Sequence, residues 1–114
     1  MATTALNVFK TVTADLTTSD KIIYTAPQRK TSIFLSVQAT NITNTLCTVN
    51  FYHGSTANLK TAVAKNFRIP SGDSMAIISP GSKLVLETGQ KVFSSASANN
   101  TVQMVISVLE SAND

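Results

Sequence analysis

From Lys65 to Val92 the chain alternates short apolar runs with clusters of turn residues, and this rhythm limits its fold more than any other feature. The run ending at Ile69 meets Pro70-Ser71-Gly72-Asp73. Ser74–Ile78 follows, then Ser79-Pro80-Gly81-Ser82, Lys83–Leu86, Glu87-Thr88-Gly89-Gln90 and a further run from Val92. Gly, Pro, Asp and Ser at such intervals are the chemistry of turns between strands. The stretch predicts a small β protein built of hairpins and holds no recognisable active site.

The rest of the chain carries the same signal. In Thr31–Asn41, a period of two places Ile33, Leu35, Val37 and Ala39 on one face, with Phe34, Ser36, Gln38 and Thr40 on the other. Val102–Leu109 sets Val102, Met104, Ile106 and Val108 against Gln103 and Ser107. Val105 and Leu109 interrupt that second face, as expected if a partner or a terminal arm covers part of it. Cys47–His53 opposes Cys47, Val49 and Phe51 to Thr48 and Asn50. Ala62–Ile69 opposes Val63, Phe67 and Ile69 to Ala64, Asn66 and Arg68. Val8–Ala14 and Lys21–Thr25 are further strands, separated by a polar turn. Asn41–Thr45 reads as a loop, Gly54–Lys60 as a longer and mobile loop, and Ser111–Asp114 as a fraying tail. The expectation is an all-β protein, a single β-sandwich of about eight antiparallel strands, jelly-roll or immunoglobulin-like. It forms one domain over residues 1–114, with residues 1–14 as an N-terminal arm or edge strand.

Composition says how such a domain meets its surroundings. A chain of 12.1 kDa buries about two-thirds of its unfolded surface, enough for one core. Only 13% of its residues are charged, about half the usual share. Solubility therefore rests on Thr, Ser and Asn, a surface suited to packing against other proteins in a permanent assembly. The net charge of +3 is scattered, and the longest basic cluster is Arg29-Lys30. A nucleic-acid groove needs a denser stripe of cations with stacking aromatics, so no nucleic-acid partner is expected. No run approaches the ~20 apolar residues of a membrane span, and Met1-Ala2-Thr3-Thr4 lacks the features of a secretory signal. The expectation is a soluble protein made in a cytoplasm.

Catalytic chemistry finds no constellation. His53, the one histidine, lies beside Gly54, without an orienting carboxylate or an activated hydroxyl in a recognisable motif. It reads as a strand-end residue facing solvent. Asp15, Asp20, Asp73 and Glu87 fall at predicted turns, where carboxylates accept from local amides. One His and one Cys are too few for zinc, and no glycine-rich phosphate loop exists. Cys47 reads as a small apolar strand residue. No catalytic, cofactor-binding or metal-binding residue is assigned. A sugar-binding face would have to use Tyr24, Tyr52 or Phe34, since the chain has no Trp.

Several segments then resemble a known group in their wording and order. They are Leu6–Thr17, Ile23-Tyr24-Thr25-Ala26-Pro27, Lys65-Asn66-Phe67-Arg68-Ile69-Pro70, Gly81–Gly89 and the ending Ser107-Val108-Leu109-Glu110. Together they resemble small virion structural proteins of tailed phages, especially T4-like cyanophages and other marine phages. The resemblance departs at Gln28-Arg29-Lys30, where a glycine-containing turn is expected. It implies a non-enzymatic virion component, assembled in the host cytoplasm. Such a component would decorate the capsid as a cement protein, forming a homo-oligomer such as a trimer on the major capsid protein. A neck, tail or baseplate accessory protein is the alternative, and a receptor- or glycan-binding module a further one. The candidate contact residues are Leu6, Val8 and Phe9 of the N-terminal segment, with Arg29 and Lys30 at a loop tip.

Overall fold

A computed structural model describes residues 7–56, 58–79 and 81–112. Nine strands form, with no helix among the described residues: β1 (Asn7–Asp15), β2 (Lys21–Thr25), β3 (Lys30–Asn41), β4 (Cys47–Thr56), β5 (Leu59–Ile69), β6 (Ser74–Ile78), β7 (Leu84–Leu86), β8 (Lys91–Ala96) and β9 (Val102–Ala112). One sheet has the order β1-β9-β3-β6, with β7 pairing β3 beside β6 on the same edge. The second has the order β2-β8-β4-β5. All pairings are antiparallel.

The pairing order describes how the chain closes. β4 pairs with β5, β3 with β6 and β7, β2 with β8, and β1 with β9, so the chain is one long hairpin wrapped upon itself. Wrapping adds the β3–β9 and β4–β8 pairings, and the result is the jelly-roll sandwich, not the immunoglobulin order. Phe34, Val37, Ile106 and Met104 from the first sheet and Val49, Phe51 and Val92 from the second meet in the core, with Leu16, Ile69 and Leu86 closing it. β9 keeps the predicted alternation: Val102, Met104, Ile106 and Val108 are buried.

Two strands depart from simple alternation. In β3, Phe34 pairs with Val108 and Ser36 with Ser107, so Leu35 is an extra residue. This bulge reverses the inward set. Ser32 and Phe34 are buried before it, Val37 and Ala39 after it, and Ile33 and Leu35 face outward. The expectation that Ile33 and Leu35 share the core face is corrected. In β5, register shifts beside Phe51 place Ala64 and Phe67 inward and leave Val63 exposed, reversing the expected sides of Val63 and Ala64.

The Gly54–Lys60 loop is corrected too, because β4 continues to Thr56 and β5 begins at Leu59. Ser111 and Ala112 belong to β9, so the expected fraying does not begin there. Arg29, in the turn where glycine was expected, has φ of 61°, a conformation costly for any side chain with a Cβ.

Gly54 has a different constraint. A Cβ there would lie 2.1 Å from the Leu59 carbonyl oxygen, whereas at Gly81 it would meet nothing within 4 Å. Gly54→Ala should therefore cost at least about 2 kcal/mol in urea unfolding, and Gly81→Ala should stay within about 0.5 kcal/mol. Arg29→Gly should stabilise by roughly 0.5–1 kcal/mol, the relief of left-handed strain less glycine's added entropy.

Candidate assembly interface

The register places an unbroken apolar row on the outer face of the first sheet. Phe9 pairs with Leu109, Leu109 with Ile33, and Ile33 with Val85. Their inward neighbours Glu110, Ser32 and Leu86 are buried, so alternation turns these four side chains outward. Phe9 is 72% exposed and Val85 51% exposed. The next row is Thr11 and Ser107 beside Leu35, and the row beyond is Thr13, Val105 and Gln38. A shallow depression of about 300 Å³ is lined by Phe9, Lys10, Thr11, Leu35, Ser107 and Val108. None of the residues in these three rows is charged. Contiguous apolar surface of this kind marks a place where another surface docks.

On the outer face of the second sheet an aromatic pair is covered by neighbouring side chains, while Ile22 beside it is 51% exposed. Tyr52 and Phe93 pair across β4 and β8. The Lys60 ammonium sits 4.8 Å from the Tyr52 ring centroid and 5.6 Å from that of Phe93. Asp20 anchors that ammonium at 2.6 Å, and its carboxyl is held below the usual range by the Lys60 hydrogen bond. Lys65 donates to the Tyr52 hydroxyl at 3.0 Å. These contacts leave both rings almost fully buried.

A buried carboxylate ties down the end of the sheet that carries the apolar row. Glu110 of β9 is 1% exposed and points between the sheets. It accepts a hydrogen bond from the Tyr24 hydroxyl of β2, which in turn accepts from Ser32 Oγ of β3 at 2.8 Å. Lys10 Nζ of β1 lies 3.0 Å from Glu110 Oε1 and Lys30 Nζ of β3 lies 3.6 Å from it. Neither contact has hydrogen-bond geometry, so charge holds this oxygen. Four strands from both sheets thus meet at one group. Burial opposes ionisation of Glu110, but the Tyr24 hydrogen bond and the two lysines outweigh it and hold the carboxyl below its ordinary range. Burial and the adjoining carboxylate push the Tyr24 hydroxyl up to about 12.

The contact residues read from sequence have different places. Leu6 lies outside the described residues. Val8 and Phe9 are neighbours on β1, but Val8 faces inward opposite Glu110 while Phe9 faces outward. Arg29 lies in the β2–β3 turn and Lys30 opens β3 opposite Ala112. Val8, Phe9 and Lys30 therefore gather at one end of the first sheet, and Lys30 is engaged inward with Glu110. Ile33, Leu35 and Val85 escaped sequence reasoning as surface residues. The legible signal was in β9, where Val105 and Leu109 break the polar side.

The remaining chemistry is structural. His53 lies within β4, half-buried, not at a strand end, and its Nε2 contacts Gln90 Oε1 at 3.2 Å. A groove of about 530 Å³ between β1 and β2 is lined by Thr13, Ala14, Asp15, Lys21, Ile22, Ile23, Gln103, Met104 and Val105. It contains one carboxylate and one ammonium, with no imidazole or thiol. Among the described residues no group of His, Cys, Asp and Glu could hold a metal ion. The three aromatics available to a sugar are all engaged: Tyr24 stacks edge-on against Phe34 at 5.4 Å, and Tyr52 lies under Lys60.

No family model and no curated protein sequence matches this chain. A solved structure shares its fold. The chain is similar to one from Bacillus endospore appendages, described as disulfide-linked pili, with a TM-score of 0.54 and 15% identity over 100% of this chain and 98% of the other. Weaker likenesses are to the Gx strain of infectious bursal disease virus and to a virus-like particle of the extra small virus of the giant freshwater prawn Macrobrachium rosenbergii. The first has a TM-score of 0.44 and 11% identity over 95% of this chain and 37% of the other. The second has a TM-score of 0.39 and 15% identity over 100% and 84%. The one cysteine here, Cys47, is buried and free.

The Glu110 cluster makes stability depend on pH at both extremes. An unfolded glutamate titrates near about 4.3 and the folded one lower, so the stabilisation present above the unfolded value is lost as pH falls through the folded one. Tyr24 acts oppositely. Its stabilisation is intact below about pH 10 and is lost as pH rises towards 12. Urea midpoints measured against pH should show both declines. Glu110→Gln should flatten the acid limb. Tyr24→Phe should flatten the alkaline limb and cost about 1.5–3 kcal/mol at neutral pH, the loss of a hydrogen bond to a charged group.

Proposed function

We propose that this protein is a non-enzymatic structural subunit of a tailed-phage virion, where it serves as a capsid decoration protein. It would seat the outer face of the β1-β9-β3-β7 region on the major capsid protein. The observation that carries this reading is the charge-free row Phe9-Leu109-Ile33-Val85, left open where the aromatic pair Tyr52 and Phe93 on the opposite outer face is covered by Lys60. The ordered likeness of Leu6–Thr17, Gly81–Gly89 and the terminal Ser107–Glu110 to phage virion proteins supplies the particle.

The action is mechanical. An apolar face laid across neighbouring shell subunits loses its contact with water, and separating those subunits would expose it again. At about 25 cal/mol per Å² of apolar area, each docked subunit raises the cost of opening the shell without a chemical step.

Cosedimentation of the purified protein with empty capsids tests this directly. Wild type should pellet with shells, and the paired change Phe9→Ser with Val85→Ser should weaken binding at least ~10-fold. That loss corresponds to about 1.4 kcal/mol, less than two exposed side chains of this size can contribute when buried. Failure of wild type to bind shells would sink the decoration reading. Quantitation in purified virions separates shell from tail: a shell protein is present in many copies, and a tail accessory in the few that fit around the tail axis.

A further inference from the structure

The four sheet edges are not equally protected. β5 pairs with β4 through three register shifts and carries Lys60, Lys65 and Arg68. β2 is five residues long and shifts between Ile22 and Tyr24. The edge opposite β1 is divided between short β6 and β7, and the β6 pairing shifts at Val37. Shortness, bulges and lysines are the devices that keep sheet edges from recruiting other strands.

β1 lacks them. It pairs with β9 over nine consecutive residues without a shift, contains no Pro or Gly, and pairs with no other strand among the described residues. Lys10, which could guard it, has its ammonium on Glu110.

We propose that β1 pairs with β1 of a second copy, antiparallel across a two-fold axis, joining the two outer faces into one continuous sheet. Among the described edges of this protein, only β1 itself is long and regular enough to match β1. The register follows from pleat and charge. Inner and outer faces must align, so odd positions pair with odd positions. Centring on Lys10 would set two ammonium groups together. Centring on Thr11 uses the whole strand, placing Lys10 opposite Val12 of the partner subunit and Asn7 opposite the partner's Asp15, with no like charges apposed.

The join also answers a question of area. Three strands and the edge shared by β6 and β7, about 4.8 Å apart and about nine residues long at about 3.4 Å each, give a face of roughly 600 Å². A stable interface buries about 800 Å² on each partner. Two faces in one sheet offer roughly 1,200 Å², so pairing at β1 brings the combined outer face above that threshold.

Sedimentation equilibrium of the purified chain up to ~100 µM should show a dimer. Thr11 is exposed, so Thr11→Lys and Thr11→Glu should each fold as monomers, verified by a retained β signal at room temperature and a cooperative thermal transition, with a midpoint lowered by the loss of the partner. Mixed one to one, they should restore a dimer. Thr11→Cys should form an intersubunit disulfide, since directly paired residues have Cα atoms about 4.5–5.5 Å apart. Stacking of the two faces would hold them about 10 Å apart, beyond that reach. A wild-type monomer throughout, or a dimer that survives both charged variants and forms no disulfide at position 11, would overturn the proposal. The capsid reading is tested separately, because failure to bind shells leaves these sedimentation results unchanged.

Discussion

One additional residue in β3 governs the surface of this molecule. The bulge at Leu35 lets Phe34 and Val37 both enter the core, although a regular strand would send them to opposite faces. Phe34 then fills the middle of the sandwich and meets the Tyr24 ring edge-on. Ile33 and Leu35 are turned out instead, where Ile33 links Leu109 to Val85. Without the bulge, the outer face would lose the centre of its apolar row.

A face of that kind needs rigid support, because its strands are held from one side only. Glu110 supplies it by joining β9 to β1 and β3 through lysines and to β2 through Tyr24. A buried carboxylate is costly unless neutralised, and here the two cations and the hydroxyl compensate it. The same contact withdraws Lys10 from guard duty at the sheet edge. The support of the face and the availability of the edge therefore have one physical origin.

The two outer faces show how similar materials give different outcomes. On the second sheet, an aromatic pair is sealed by a lysine pinned to Asp20. On the first, aliphatic and aromatic groups remain open beside hydroxyl-bearing rows. Such a surface, scarce in charge, is the one that the proposed packing role uses.

The alternation of apolar runs and turn residues was enough to specify an all-β sandwich, because side-chain period and turn chemistry are local. It also located the core positions of β9 and, through Val105 and Leu109, hinted at a covered second face. Scarce charge and isolated His53 and Cys47 argued against catalysis for the same reason: composition is visible without a fold. The sides taken by Ile33, Leu35, Val63 and Ala64 were not legible, since a bulge is set by which strand lies alongside and how the core fills. Nor could the sequence separate a jelly roll from an immunoglobulin order, or bring Lys10, Tyr24, Lys30 and Glu110 together. Those depended on strand pairings between distant segments, such as β1 with β9, which only the folded chain decides.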